Sequence, residues 1–304
     1  MTISVFHIDS HIEYNGRPWI TSFIRQDRKN NPLMYEFIRS ITLISKTTLR
    51  KKPLLIILWI KLYLMRHFGI TPNVVSVMGF VLHVPDFESF YSSFRQIFID
   101  LNYYFETSTK RPVIIDAGAN IGVSLFFFRY LYPKAKVMCF EPDKINFQYL
   151  KKNLERNKLA NIYLYNVALS DYEGSIKFWT RSDMAGGDIG ASNVAELRHY
   201  YHAKSDLTEV SVPCTQLSRF IEEEIDLLKL DIEGSESDVL LDVSEQFSQI
   251  KNMVMEYHFL PEKNPLSTIL NVLEQHKHIY KIMGDTNDIK LHESYNFVIK
   301  SKQS

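Results

Sequence analysis

The run Val113-Ile-Ile-Asp-Ala-Gly-Ala-Asn-Ile-Gly122 constrains the fold of this chain more than any other segment. Apolar, largely β-branched residues lead into an acid and a turn of small residues, then into Val123-Ser-Leu-Phe-Phe-Phe128. That order reads as a buried parallel strand, a tight turn and a helix start, the place where α/β sheets bind nucleotides. Gly118 and Gly122 let the backbone approach a ligand where a Cβ would obstruct it. The spacing is Asp-x-Gly-x-Asn-x-Gly, with the acid ahead of the first glycine. A dinucleotide fingerprint would read Gly-x-Gly-x-x-Gly, with its acid only at the next strand. Asp116 repels a pyrophosphate and attracts an ammonium. Asp116, Gly118, Asn120 and Gly122 therefore suit a ligand with an amine and a carboxylate, as S-adenosylmethionine has.

From Arg111 onward strands and helices alternate, which predicts a mostly parallel sheet covered on both faces. The predicted strands are Val113 to Ala117, Lys136 to Glu141, Asn161 to Val167, Asp226 to Asp231 and Asn252 to His258. Helices follow to about Leu131, from Asp143 (as N-cap) to Asn157, from Gln216 to Glu223, from Glu236 to Val243 and from Pro265 to Lys277. Ser175 to Thr180 and Glu209 to Cys214 read as extra strands, and Tyr280 to Met283 with Asn296 to Lys300 as a closing antiparallel hairpin. Met184 to Ser205 breaks the rhythm as an insertion; its Gly186-to-Asn193 part is either a lid over substrate or a surface excursion, and His199 to His202 reads as surface helix, with the lining of an acceptor pocket the lesser alternative. Upstream, Val74 to Val84 reads as strand broken at Gly79. The stripe from Phe87 through Phe94, Phe98 and Leu101 to Phe105 reads as an amphipathic helix packing a core.

The division expected is a basic, mainly helical extension (1–72), a lead-in strand and helix (73–110), and the α/β domain (111–304). The whole chain balances 35 basic against 35 acidic residues, which gives no global nucleic-acid signature. Arg25 to Arg66 nevertheless holds ten basic residues against Asp27 and Glu36, a local net of 10 − 2 = +8. Pro53 to Met65 is too short for the ~20 residues of a spanning helix, and Lys61 interrupts it. It reads as a buried helix, with peripheral membrane contact the lesser alternative. Cys139 and Cys214 are the two cysteines; they offer no zinc spacing, and the expectation is a reducing, cytoplasmic setting.

If the first three strands lie side by side, Asp116, Glu141 and Asn166 share one edge. A carboxylate at Glu141 can accept both hydroxyls of a ribose, and Asn166 with Ala168 falls where an adenine edge would lie. On the other half of the sheet, Asp231 ends the fourth strand with Glu233 and Glu236 close behind, and Glu256-Tyr-His258 ends the fifth. Those two strands are expected beside the first. Glu256 and His258 share a face by alternation. Glu236 serves equally as a helix-terminal acid that complements the dipole.

Asp116-Ala-Gly-Ala-Asn-Ile-Gly122, Phe140-Glu-Pro142 and Leu230-Asp-Ile-Glu-Gly-Ser-Glu236 together resemble the FkbM family of S-adenosylmethionine-dependent methyltransferases, over roughly Phe87 to Lys300. The resemblance implies a class I, Rossmann-like methyltransferase fold of seven strands, the last antiparallel, and O-methylation of a hydroxyl. Gln216-Leu-Ser-Arg219 departs from the Leu-Asp expected of the family at that turn.

Methyl transfer from a sulfonium requires the acceptor oxygen to be held in line and its proton removed. Asp231, Glu233, Glu256 and His258 are the catalytic candidates, with His258 or Asp231 as general base. A hard divalent cation held by Asp231, Glu256 and a third acid is the alternative; metal-free base catalysis is preferred. The acceptor expected is a glycan, glycolipid or small hydroxylated metabolite. A nucleic-acid substrate is disfavoured, because the site's acids repel a phosphate backbone. A catalytically silent cofactor-binding scaffold is the non-enzyme alternative.

Overall fold

The computed structural model describes residues 32–46, 52–181, 207–258, 263, 265–283 and 296–303. The chain opens with α1 (Pro32–Lys46), α2 (Lys52–His67), a hairpin of β1 (Val74–Val77) and β2 (Phe80–His83), and α3 (Phe87–Phe94), which continues as a π turn over Arg95–Ile99. Then come β3 (Val113–Ala117), α4 (Val123–Leu131), β4 (Lys136–Phe140), α5 (Lys144–Asn157), β5 (Ile162–Tyr165), β6 (Ala168–Ser170), β7 (Gly174–Arg181) and β8 (Leu207–Gln216). The last third holds β9 (Leu227–Leu230), α6 (Glu236–Asp242), β10 (Asn252–His258), α7 (Leu266–Gln275), β11 (His278–Met283) and β12 (Asn296–Gln303).

Seven strands form the main sheet in the order β11-β12-β10-β9-β3-β4-β5. The five central strands run parallel, while β12 is antiparallel to both β10 and β11. This is the seven-stranded, Rossmann-like sheet with an antiparallel last strand. One expectation is corrected: β10 borders β9 and β12, not β3. β9 alone adjoins β3 on that side, and the closing hairpin donates β12 to the outer edge of β10.

Strand alternation decides which residues face which layer. Val113, Ile115 and Ala117 join Leu228, Leu230, Met253 and Met255 in one buried cluster, with Val239 of α6 and Leu273 of α7. Ile114, Val137, Cys139, Leu227 and Val254 join the other, with α4 and the N-terminal helices. That second cluster extends without a break to Ile44, Leu55 and Trp59, so α1 and α2 belong to the same core as the sheet. Its spine is aromatic: Trp59 stacks on Tyr91 at 4.8 Å, Phe94 on Phe98 at 4.8 Å, and Phe98 meets Phe127 edge-on at 5.0 Å.

The aromatic stripe is helical only to Ile99. Leu101 adopts a left-handed φ of 58°, which stops the helix, and Phe105 is buried from an irregular segment instead. The helix expected over Gln216 to Glu223 is a short 3-10 turn, Leu217–Phe220. The extra strands pair with each other in a separate three-stranded sheet, β6-β8-β7. The glycine-rich lid and the His199-to-His202 segment lie outside the described residues.

Two asparagines of α5 do what a neighbouring strand would do for β2. Asn153 Oδ1 accepts from His83 N at 2.6 Å while its Nδ2 donates to His83 O at 3.1 Å and Ile121 O at 3.0 Å. Asn157 exchanges two bonds of 2.8 Å with the backbone of Val81. Asn153 is fully buried, and it ties the lead-in hairpin to the Gly118–Gly122 turn. Asn153→Leu keeps the volume and strips three backbone groups of their partner. We expect a loss of about 3 kcal/mol, read as a lower urea midpoint at unchanged slope.

Candidate active site

Most of the functional side chains sit at the carboxyl ends of β3, β4, β9 and β10 or in the loops that leave them; Tyr103 and Asn166 reach the site from outside these elements. The turn after β3 is fixed by backbone bonds: Gly118 N and Ala119 N both donate to Phe140 O at 2.9 Å. Gly118 has a φ of 79°, and a Cβ there would collide with the carbonyl oxygen of Asp231. The close approach that requires glycine is therefore first of all to the chain's own β9 loop. Gly118→Ala should push the turn and Asp231 apart, leaving no measurable methyl transfer and a lowered melting temperature. Gly122 has a φ of 98° and its Cβ would press on Leu150 at 2.8 Å; it precedes α4 with no side-chain cap on the helix.

Asp116 is fully buried. Its Oδ2 accepts from Ser124 Oγ at 2.6 Å, and its Oδ1 lies 3.3 Å from Lys229 Nζ. The expectation that Asp116 meets a ligand's ammonium is corrected: its carboxylate is turned into the protein and already has a cation. Lys229 is the residue that the sequence reading missed. It is the register partner of Asp116 on β9, 1 % exposed. Its Nζ donates to Ala117 O at 3.0 Å and Gly118 O at 2.7 Å, and lies 3.5 Å from Asp231 Oδ2. Burial pulls the lysine pKa down, but Asp116 and Asp231 outweigh it and the net shift is upward. A permanent buried cation thus joins the glycine turn to the acid at the end of β9.

Glu141 ends β4 with its carboxylate buried; Oε2 accepts from Asn120 N at 2.8 Å and Oε1 from Asp143 N at 2.9 Å. Burial raises its pKa to about 8, against the pull of those two donors. Asn120 takes a left-handed φ of 50° to present that amide. Asn166 donates through Nδ2 to Glu141 O at 2.8 Å and Pro142 O at 3.1 Å, which braces the same corner from beyond β5. Ala168 is elsewhere: it is buried in β6, opposite Cys214, and packs with Phe178 and Val212. β5 ends at Tyr165, so Ala168 belongs to the small sheet and not to the strand end where it was expected.

The other half of the site is a cluster of four acids around one histidine. Asp231 follows β9 with its side chain 24 % exposed, which makes it the acid that faces outward beside Gly118. Glu233 has a φ of 57° and Gly234 one of 106°, so the chain doubles back and brings Glu236, fully buried, under His258. His258 Nδ1 lies 2.8 Å from Glu236 Oε1, and Nε2 lies 3.2 Å from Glu233 Oε2. Burial lowers the imidazole pKa, yet Glu233 and Glu236 overcome it and raise it well above the ordinary value. Both ring nitrogens of His258 face carboxylates, an arrangement that favours the charged ring over the neutral base expected of it. Glu236 is not simply a helix-terminal acid; it is the buried partner of that ring.

Burial raises Glu233 to about 8, with His258 pulling the other way and Asp231 and Glu256 adding to the rise. Glu256 is raised to about 7 by burial and then by Asp231. Tyr103, which no sequence pattern pointed to, donates from its hydroxyl to Asp231 Oδ2 at 2.9 Å and Glu256 Oε2 at 3.3 Å. Lys229 Nζ stands 5.3 Å from the centre of its ring. Asp231, Glu233 and His258 each offer a ligand atom, all within 4.8 Å of one another; Glu256 is not part of that group. Between the turn and the cluster the arrangement can hold a cationic ligand against carboxylates and move a proton among them.

A sequence profile of the Methyltransferase FkbM domain matches residues 116–299, which takes in all of these groups except Tyr103. Methyltransferase 1 of Beauveria bassiana is 27% identical over 194 residues, 59% of this chain and 77% of its own. The 2-O-methyltransferase NoeI of Sinorhizobium fredii is 30% identical over 177 residues, 53% of this chain and 71% of its own. A crystal structure of methyltransferase FkbM from Methylobacillus flagellatus covers 92% of this chain, which spans 60% of that one, at 16% identity and a TM-score of 0.45. The match to the domain profile extends over more than half of the sequence, and the chain belongs to the FkbM family of methyltransferases.

Proposed function

We propose that the chain transfers a methyl group from S-adenosylmethionine to a hydroxyl of a glycan, glycolipid or small metabolite. The observation that carries this reading is the placement of Asp231, Glu233, Glu256 and His258 beside the Gly118–Gly122 turn. The similarity to a 2-O-methyltransferase supports oxygen as the acceptor atom. The fit to the cofactor rests on charge and backbone. Burial raises three carboxyls, Glu141, Glu233 and Glu256, to about 8, 8 and 7, so a cation bound beside them would favour their ionised forms. An ammonium and a sulfonium would supply that charge. The α4 amides after Gly122 have no side-chain cap and suit a ligand carboxylate. Glu141, with a second lone pair on each oxygen, remains the acid placed for a ribose diol.

When bound, S-adenosylmethionine supplies an electrophilic methyl group. Glu233 takes the acceptor's proton, its basicity raised by burial, and His258 holds that carboxylate in place through Nε2. Glu236 fixes the ring through Nδ1, the logic of a base oriented by a third group. Tyr103 bridges Asp231 and Glu256 through its hydroxyl and limits the way they can turn. We favour metal-free catalysis because both His258 nitrogens are paired with carboxylates, whereas a metal ligand must be a neutral imidazole with a free lone pair.

Purified protein given methyl-labelled S-adenosylmethionine and a panel of hydroxylated acceptors should add one methyl group to an oxygen, located by mass spectrometry. Label found on RNA or DNA instead would establish the nucleic-acid reading. Tight cofactor binding with no transfer to any acceptor would establish the scaffold. Activity should survive exhaustive chelation; loss restored by magnesium would establish the cation mechanism.

A further inference from the structure

The apolar helix α2 was expected to be buried, and the structure buries only one side of it. Leu55, Leu58, Trp59 and Leu62 face the core. The opposite side presents Leu54, Ile57, Ile60 and Leu64, exposed by 46, 62, 36 and 44 %. Phe68 (70 %) and Ile70 (51 %) extend the patch past the helix end. Positions 57, 61, 64 and 68 follow one another at helical spacing, so a single stripe carries Ile57, Leu64 and Phe68 with Lys61 among them. Large apolar residues gathered this way on an otherwise soluble surface mark a docking face.

Charge decides what docks. Residues 37–85 contain seven lysines and arginines and no aspartate or glutamate. Lys52 opens α2, preceded in the sequence by Arg50 and Lys51, and Lys61 lies within its exposed stripe, while Arg39 and Arg66 are engaged by Asp100 and Glu88. An apolar face bordered by cations, with no acid on its element, complements a surface that is apolar below and anionic above. Lys61 can lay its stem along such a surface and lift its ammonium to the phosphates. Among the described residues no helix is long and apolar enough to cross a membrane, so α2 would lie in the interface plane. We propose that this face docks the protein on an anionic phospholipid bilayer through Ile57, Leu64 and Phe68, with the basic residues as the electrostatic part of the contact. The inference is independent of the catalytic reading.

The test is flotation of the full chain with vesicles of phosphatidylglycerol and phosphatidylcholine, against vesicles of phosphatidylcholine alone. We expect binding to the anionic vesicles, weakened by salt. Ile57→Asp with Leu64→Asp should lower partitioning at least about tenfold, with an unchanged melting temperature because both positions are solvent-exposed. Lys61→Gln should weaken binding and its salt dependence. Absence of binding to anionic vesicles at low salt would overturn the proposal. So would a double variant that binds like the parent, since the contact would then be electrostatic adsorption alone. A dimer by light scattering that the double variant dissociates would also overturn it, by showing that a second copy covers the face.

Discussion

Lys229→Met should cost the fold about 3–5 kcal/mol, the penalty for leaving one partner of a buried ion pair without the other. Asp116 has no access to solvent, and its remaining partner, Ser124, cannot neutralise it. The two carbonyls that Lys229 ties down, Ala117 O and Gly118 O, are those of the glycine turn proposed to receive the cofactor. The same substitution should therefore abolish S-adenosylmethionine binding as measured by calorimetry. The double variant Lys229→Met with Asp116→Asn removes both charges and should recover most of the thermal stability without recovering binding. Recovery of both would mean that the lysine serves only as a counter-ion. A stable single variant with normal affinity would contradict the arrangement altogether.

Glu233→Gln should lower the rate constant for transfer by a factor of about 10²–10⁴, the range for a lost general base. The pH profile distinguishes this role from a structural one. A base must be ionised, so the rate should climb as pH rises through the cluster's raised values, about 7 for Glu256 and about 8 for Glu233, and not through the ordinary carboxylate range. Because these groups interact, the limb belongs to the cluster as a unit. His258 holds Glu233 down. In His258→Gln that cation is gone, and the rising limb should move to higher pH. A limb that stays in place in both variants would remove Glu233 and His258 from the proton path.

Much of this architecture was legible in the sequence because it depends on local periodicity. Val113 to Ala117 and Asn252 to His258 were bounded as observed, since buried strands are short apolar runs that end at turn residues. Asp143 as N-cap was legible for the same reason: its Oδ1 accepts from Ile145 N and Asn146 N, a contact made within four residues. Asp231, Glu233, Glu256 and His258 came together because the first two follow β9 and the last two close β10, its neighbour. What escaped had long-range causes. Lys229, inside Leu-Leu-Lys-Leu230, acquires a role only when β9 aligns it with Asp116. Tyr103 lies 128 residues from its partner Asp231 in a segment without period. Ala168 left the edge assigned to it because β5 is shorter than the apolar run suggested.

The sequence by itself determined the element order, the glycine turn, the acids that surround it and the family resemblance, all properties of segments shorter than a strand-turn-helix unit. Only the tertiary structure decided their protonation and partners. It turned Asp116 inward onto Lys229, set His258 between two glutamates, and left one face of α2 uncovered. The physical reason is that burial and Coulomb interaction depend on distance in space and on exclusion of water. Neither quantity exists along a chain until the sheet closes around it.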